Sequence, residues 1–207
     1  IKDILDKKKL GKIYSYHLNC IWNRNYDYYA NSWKGTNKLD GGTLYTQFSH
    51  FLDLAIWFFG PVKSCCGYSN NFDLDKEIEF EDTGVISLKT NDGTLGSMHY
   101  SVNSHNKNYE GSLTIIGEKG TVKIGGQYIN EIEYFNVENE EQPVYDKSGK
   151  ANDYGVYKGS MSNHDKIYEN IIEVFENNAK VNTNSIDGLL TVQSIEKIYN
   201  EIRPHSK

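Results

Sequence analysis

Between residues 43 and 60 the apolar positions Leu44, Phe48, Phe51, Leu52, Ala55, Ile56 and Phe59 fall at the spacing of one buried helical stripe, with Gln47, His50 and Asp53 on another side. Upstream, residues 12–23 alternate. Tyr14, Tyr16, Leu18, Cys20 and Trp22 lie on one face of a predicted strand, and Ile13, Ser15, His17, Asn19 and Ile21 on the other. Residues 83–90 and 94–102 flank Asn91-Asp92-Gly93, a hairpin signal. Residues 112–117 and 121–124 around Glu118-Lys119-Gly120 predict a second hairpin, and 127–135 a further strand. Helical spacing returns in 163–177, through Ile167, Ile171, Val174 and Phe175, and in 186–202, through Leu189, Leu190, Val192, Ile195, Ile198 and Tyr199. The stretch 136–162, rich in Glu, Asn, Lys and Gly, reads as a long loop. Strands in the middle and helices toward the ends predict one α+β domain over residues 1–207, a largely antiparallel open sheet flanked by helices.

Composition narrows the setting. A chain of 207 residues with 38% hydrophobic positions suffices for one core and leaves no membrane span. Its longest apolar run, 51–62, is broken by Asp53 and falls short of the roughly 20 residues a bilayer needs. No leader with a charged start and an apolar stretch opens the chain. The three cysteines, Cys20, Cys65 and Cys66, are odd in number, and two are adjacent, which favours a reducing, cytoplasmic location. A formal charge of −6 argues against a nucleic-acid surface. No metal site is expected, since His17, His99, His105 and the cysteines lack paired-ligand spacing.

Candidate chemistry gathers around the first helix. His50 fits a general acid or base held on a rigid element, or a packed histidine beside the apolar stripe. An imidazole suits proton exchange because its ordinary pKa is about 6.5. Asp53, one turn on, fits orientation of His50 or anchoring of the helix, and Gln47 fits a ligand contact or a loop cap. The preceding loop holds Tyr26, Tyr28, Tyr29 and Trp33, whose flat faces and polar edges suit a sugar or a base but also serve as filler among 16 tyrosines. Arg24, Lys34 and Lys38 are nearby cations, Gly41-Gly42 allows a close backbone approach, and Ser162, Asn163 and His164 open a helix, with Ser162 and Asp165 at cap spacing.

The run W-K-G-T-x-x-L-D-G-G-x-x-x-x-Q-x-S-H-x-x-D-L from Trp33 to Leu54 resembles the signature at the start of the C-terminal domain of the Gfo/Idh/MocA oxidoreductases. Within them it is most similar to bacterial dehydrogenases acting at carbon 3 of a UDP-N-acetylhexosamine or its uronic acid in lipopolysaccharide and other surface polysaccharide synthesis. Lys9-Leu10-Gly11-Lys12-Ile13, Arg24 before Tyr28-Tyr29, Gly117 to Val122 and Asn163-His164 extend the likeness over nearly the whole chain.

The resemblance implies an NAD-dependent enzyme whose dinucleotide is bound mainly by an N-terminal Rossmann domain. That domain is absent here, since no G-x-G-x-x-G follows a strand and no lysine stands between a glutamate and a proline. The chain is thus expected to be the substrate-binding and oligomerisation half, inactive alone. It further implies His50 as the catalytic residue beside the reacting hydroxyl, and Gln47, Thr46, Arg24, Tyr28, Tyr29, Trp33, Lys34, Asp53 and His164 as residues binding a sugar or nucleotide sugar. Positive side chains and helix amides would face its pyrophosphate. Many family members carry an aspartate where this chain has Thr46 and a glycine where it has Phe48, so no carboxylate base stands at that position. Lys34 replaces the usual arginine and loses its bidentate fork. Pairing through the open sheet face implies a homodimer or homotetramer. The other readings are a non-catalytic sugar-binding or assembly module, and a dehydrogenase of a free sugar or inositol.

Overall fold

The architecture comes from a computed structural model that describes residues 1–74, 76–145, 151–153, 155, 158–161 and 163–203. In chain order the elements are α1 (Lys2–Asp6), β1 (Ile13–Ile21), α2 (Tyr26–Tyr29), α3 (Thr43–Thr46), α4 (Ser49–Phe59), β2 (Val62–Asn70), β3 (Thr83–Thr90) and β4 (Leu95–Ser101). Then follow β5 (Glu110–Gly117), β6 (Gly120–Gly125), β7 (Glu131–Val137), β8 (Ala151–Asp153), β9 (Lys158–Met161), α5 (His164–Asn177) and α6 (Ser185–Ile202). The main sheet has the order β2-β3-β4-β1-β5-β6-β7, and β8 and β9 form a separate pair. Only β1 and β4 run parallel in the main sheet. The predicted α+β class with a largely antiparallel open sheet is therefore observed.

Register explains how the alternation becomes a core. Ile86, Met98, Leu18, Leu113 and Ile124 pair in succession from β3 to β6, and all five are buried. This row lies beneath α4, where Tyr16 stacks on Phe59 with ring centroids 4.4 Å apart. Each such large side chain removed from water contributes roughly 1.5–3 kcal/mol before the entropy of ordering is counted. The opposite sheet face bears His17, Val85, Ser87, Ser97, Lys123 and Tyr134, and among the described residues no helix covers it.

Helix α6 seats on the edge strand. Lys197 donates through Nζ to the Val62 carbonyl at 2.8 Å, and Ser69 Oγ to the Ile202 carbonyl at 3.1 Å. Its start is fixed by a reciprocal cap: Asn184 Oδ1 accepts from the Ile186 and Asp187 amides, and Asp187 Oδ2 accepts from the Asn184 amide. Helix α5 differs, for it buries no residue among those described and leaves Ile167, Tyr168, Ile171, Ile172 and Phe175 exposed.

Three expectations are corrected, and one strand is added. The helix expected over 43–60 breaks after Thr46, where Phe48, fully buried, takes up φ −116° and ψ 5° and α4 restarts at Ser49. The strand expected from 127 begins at Glu131, because 126–130 form a turn. The expected loop 136–162 contains β8 and β9. Strand β2 was not anticipated: only Val62 along it is fully buried, so its sequence carries no clear alternation. The cap expected at Ser162 lies outside the described residues.

Candidate functional site

The break between α3 and α4 shapes the site. Phe48 fills the core under Trp22 and Tyr100, with centroid distances of 5.7 Å to each, and so turns Gln47 inward and brings His50 to the first turn of α4. Gln47 is 1% exposed. Its Nε2 donates to the Tyr28 hydroxyl at 3.0 Å, and its Oε1 lies 2.8 Å from Thr46 Oγ1. Thr46 Oγ1 also lies 2.7 Å from Asp40 Oδ1 and 3.4 Å from the Gly42 carbonyl, so its single proton serves one of three acceptors at a time. The other Asp40 oxygen accepts from the Gly35 amide at 2.7 Å, closing the aromatic loop onto α3.

Arg24 is 4% exposed and donates through Nη1 to the Asn23 carbonyl at 2.6 Å and to Asn108 Oδ1 at 3.1 Å. Its guanidinium carbon stands 5.0 Å from the Trp22 ring and 5.1 Å from that of Tyr28, while Lys34 Nζ stands 3.9 Å from the Tyr28 ring centre. Tyr28 thus bears two cation contacts and a hydrogen bond on one side chain. Tyr29 is buried beneath it, Trp33 is exposed, and Lys38 is exposed at the outer loop.

His50 opens onto a cleft of about 1010 Å³ whose walls include Trp22, Asp53, Trp57, Tyr128 and Asn182. Crowding by the protein lowers the His50 pKa, the Asp53 charge partly offsets this, and the Arg24 charge adds to the lowering. That direction favours the neutral ring, which has a nitrogen able to take a proton. Asp53 is held by Thr191 Oγ1 at 2.7 Å, which anchors α4 to α6 within this domain. A second cleft of about 1070 Å³ shares Leu54, Trp57, Tyr128 and Ile129 with the first and reaches Asn163, next to His164.

The structure thus sets His50 and Asp53 on the cleft wall, and joins Arg24, Tyr28, Lys34, Thr46 and Gln47 in a neighbouring network that meets it through Trp22. It sets Tyr29 in the core and His164 next to Asn163, which lines the second cleft. Asp40, Glu81, Asn108, Tyr128 and Thr191 were missed by sequence reasoning. Asp40 stands before the Gly41-Gly42 pair and could have been suspected as a turn residue, whereas Asn108 and Tyr128 meet across 20 positions and leave no local signal.

Behind the helix, Glu81 Oε1 accepts from Thr43 Oγ1 at 2.9 Å and from the Tyr199 hydroxyl at 2.8 Å, and Arg203 Nη2 lies 3.2 Å from Glu81 Oε2 and 2.6 Å from the Gly41 carbonyl. Gly42 sits at φ +137°, and a Cβ there would meet Arg203 Nη2 at 2.1 Å and the Tyr199 hydroxyl at 2.3 Å. The glycine pair therefore admits the end of α6. Among the described residues no helix is long and apolar enough to cross a membrane, and no group of three or more His, Cys, Asp or Glu could hold a metal ion.

Comparison with solved structures places the WlbA dehydrogenase from Chromobacterium violaceum, in complex with NADH and UDP-GlcNAcA, at 34% identity and a TM-score of 0.83, covering 100% of this chain and 59% of that one. The WlbA dehydrogenase from Bordetella pertussis, with the same two molecules, matches at 31% identity and a TM-score of 0.81, covering 98% and 56%. A levoglucosan dehydrogenase complexed with NADH shares the fold at 18% identity and a TM-score of 0.71, covering 97% and 60%. The chain thus spans a little over half the length of these relatives. Comparison with curated proteins gave no match. The family model described as the C-terminal alpha/beta domain of an oxidoreductase family matches residues 2–207, and the chain belongs to that family, the Gfo/Idh/MocA oxidoreductases.

Proposed function

We propose that this chain is the substrate-facing and oligomerisation domain of an NAD-dependent dehydrogenase that oxidises a hydroxyl, at carbon 3, of a UDP-linked N-acetylhexosamine or its uronic acid. The observation that carries the reading is His50, an imidazole on the first turn of a helix and open to a cleft large enough for a sugar. The likeness to two dehydrogenases in complex with NADH and UDP-GlcNAcA supports the substrate class. We place the protein in surface polysaccharide synthesis in the cytoplasm, a setting that the three free cysteines fit.

Oxidising an alcohol removes a hydride from carbon and a proton from oxygen. His50 takes the proton, and its helix-start amides, which no side chain caps, favour the negative charge that develops on the oxygen. Arg24, Tyr28, Lys34, Thr46 and Gln47 hold the loop wall against which the sugar is oriented. The described residues do not themselves fit the dinucleotide. Of the two glycine pairs, Gly41-Gly42 is filled by Arg203 and Tyr199, and a Cβ at Gly125 would meet the Glu133 carboxylate. NAD, bound by the remainder of the enzyme, supplies the hydride acceptor.

The test is NADH formation by the protein carrying this domain, offered NAD with UDP-GlcNAc, UDP-GlcNAcA, or free inositol and glucose. The reading expects turnover with a UDP-sugar. Turnover confined to a free sugar or inositol, or none with any of the four, contradicts it.

A further inference from the structure

We propose that Tyr128 is a further ligand-binding residue of the His50 cleft, donating its phenolic proton to an anionic oxygen of the bound nucleotide sugar; this rests on the substrate class proposed above. A hydrogen-bonded series runs toward it behind Trp22. Arg24 Nη1 donates to Asn108 Oδ1 at 3.1 Å, and Asn108 Nδ2 donates to the Tyr128 hydroxyl oxygen at 3.3 Å. Each donation withdraws electron density from the next group, so a buried guanidinium at the head makes the phenol at the tail a stronger donor. The Tyr128 oxygen is used as an acceptor from Asn108, which leaves its own proton for the cleft.

The turn that presents Tyr128 is built for position. Trp22 Nε1 donates to the Gln127 carbonyl at 3.4 Å, Gln127 Nε2 to the Asn108 carbonyl at 3.0 Å, and the Ile129 amide to the Gly111 carbonyl at 3.1 Å. Ile129 itself lies at φ +55°, a left-handed conformation that a β-branched residue rarely adopts and that persists only when its surroundings impose it. Tyr128 and Ile129 thereby stand at the boundary shared by the two clefts.

The cleft's own charge constrains how the anion of the proposed substrate can be held. Among the described residues, the ionisable groups on the wall of the first cleft besides His50 and Tyr128 are the carboxylates Asp53 and Asp187, and the whole chain carries a formal −6. An anionic ligand in that field needs a donor that brings no further negative charge, and the Tyr128 hydroxyl, polarised through Asn108, is such a donor.

The experiment compares wild type and Tyr128→Phe in the protein carrying this domain, with UDP-GlcNAc and UDP-GlcNAcA as alternative substrates. Loss of one such bond is expected to raise KM roughly fivefold to tenfold, with kcat within about twofold and an unchanged melting temperature. A penalty confined to the uronate identifies the sugar carboxylate as the acceptor; an equal penalty with both identifies the pyrophosphate. An active wild type with an unchanged KM in Tyr128→Phe for both substrates overturns this inference alone. A KM change accompanied by a matching loss of melting temperature also overturns it, because it marks Tyr128 as structural. A wild type inactive on both overturns the proposed substrate class and this inference with it.

Discussion

Thr191 Oγ1 donates to Asp53 Oδ1 at 2.7 Å, and this bond ties α6 to the helix that carries His50. Thr191 is buried, so Thr191→Val keeps the shape while removing the donor from a carboxylate. A lost hydrogen bond to a charged group is expected to destabilise by roughly 1.5–3 kcal/mol. Thermal unfolding should register it as a drop of several degrees, and an unchanged midpoint would show that the α4–α6 anchor lies elsewhere.

The pH dependence follows from His50. Its folded pKa lies below the usual histidine value, chiefly because the protein crowds the ring. As pH falls below about 6.5 the unfolded chain therefore binds the proton first, and stability decreases until the folded-state pKa is passed. Asp53 raises the His50 pKa, so Asp53→Asn should move the acid limb of kcat/KM to lower pH. NMR titration of the His50 ring gives the same quantity directly, and a shift upward in Asp53→Asn contradicts the electrostatic account.

Much of the fold was legible because it obeys two periods. The alternation of β1 and the Asn91-Asp92-Gly93 hairpin depend on local sequence, and both strands of that hairpin are found, as Thr83–Thr90 and Leu95–Ser101. Strand β2 was hidden because most of its residues are exposed or half-exposed at a sheet edge, where pairing with β3 rather than burial defines it. The site divided in the same way. The signature around His50 is contiguous and readable, whereas the partners that hold it in place come from distant segments: Thr191 reaches Asp53 across 138 positions, and Tyr199 reaches Glu81 across 118. Reading the helix as continuous through Thr46 also hid the break that sets the orientation of Gln47. Burial of Phe48 breaks the helix and turns Gln47 toward Tyr28.

The Gly42 environment makes a sharper forecast. An alanine there combines an unfavourable φ of +137° with contacts of 2.1 Å and 2.3 Å to Arg203 and Tyr199. Gly42→Ala should destabilise by about 2 kcal/mol or more, lowering the melting temperature by roughly 4–8 °C. Arg203→Ala removes the Glu81 ion pair and is destabilising by itself, so the comparison is a double-mutant cycle: Gly42→Ala should cost less in the Arg203→Ala background than in the wild type, because one contact is gone. An equal cost in both backgrounds would mean that the Arg203 contact contributes nothing to the penalty.

Assembly is expected through the uncovered sheet face, where Tyr68, Val85, Ile116 and Tyr134 are exposed beside Ser87 and Ser97. Light scattering should report a homodimer or homotetramer, and Val85→Lys with Ile116→Lys should shift it toward monomer. A wild-type monomer at high concentration, or a double variant that keeps its oligomeric state, places the interface elsewhere.

The most direct test of the account is His50→Asn in the protein carrying this domain, with steady-state kinetics and thermal unfolding measured on one preparation. On the proposed role of His50 as the group that takes the hydroxyl proton, its loss should cut kcat roughly a hundredfold or more while leaving KM and the melting temperature near wild type. A variant that melts earlier yet keeps full turnover would contradict the account, since it would make His50 a packing residue.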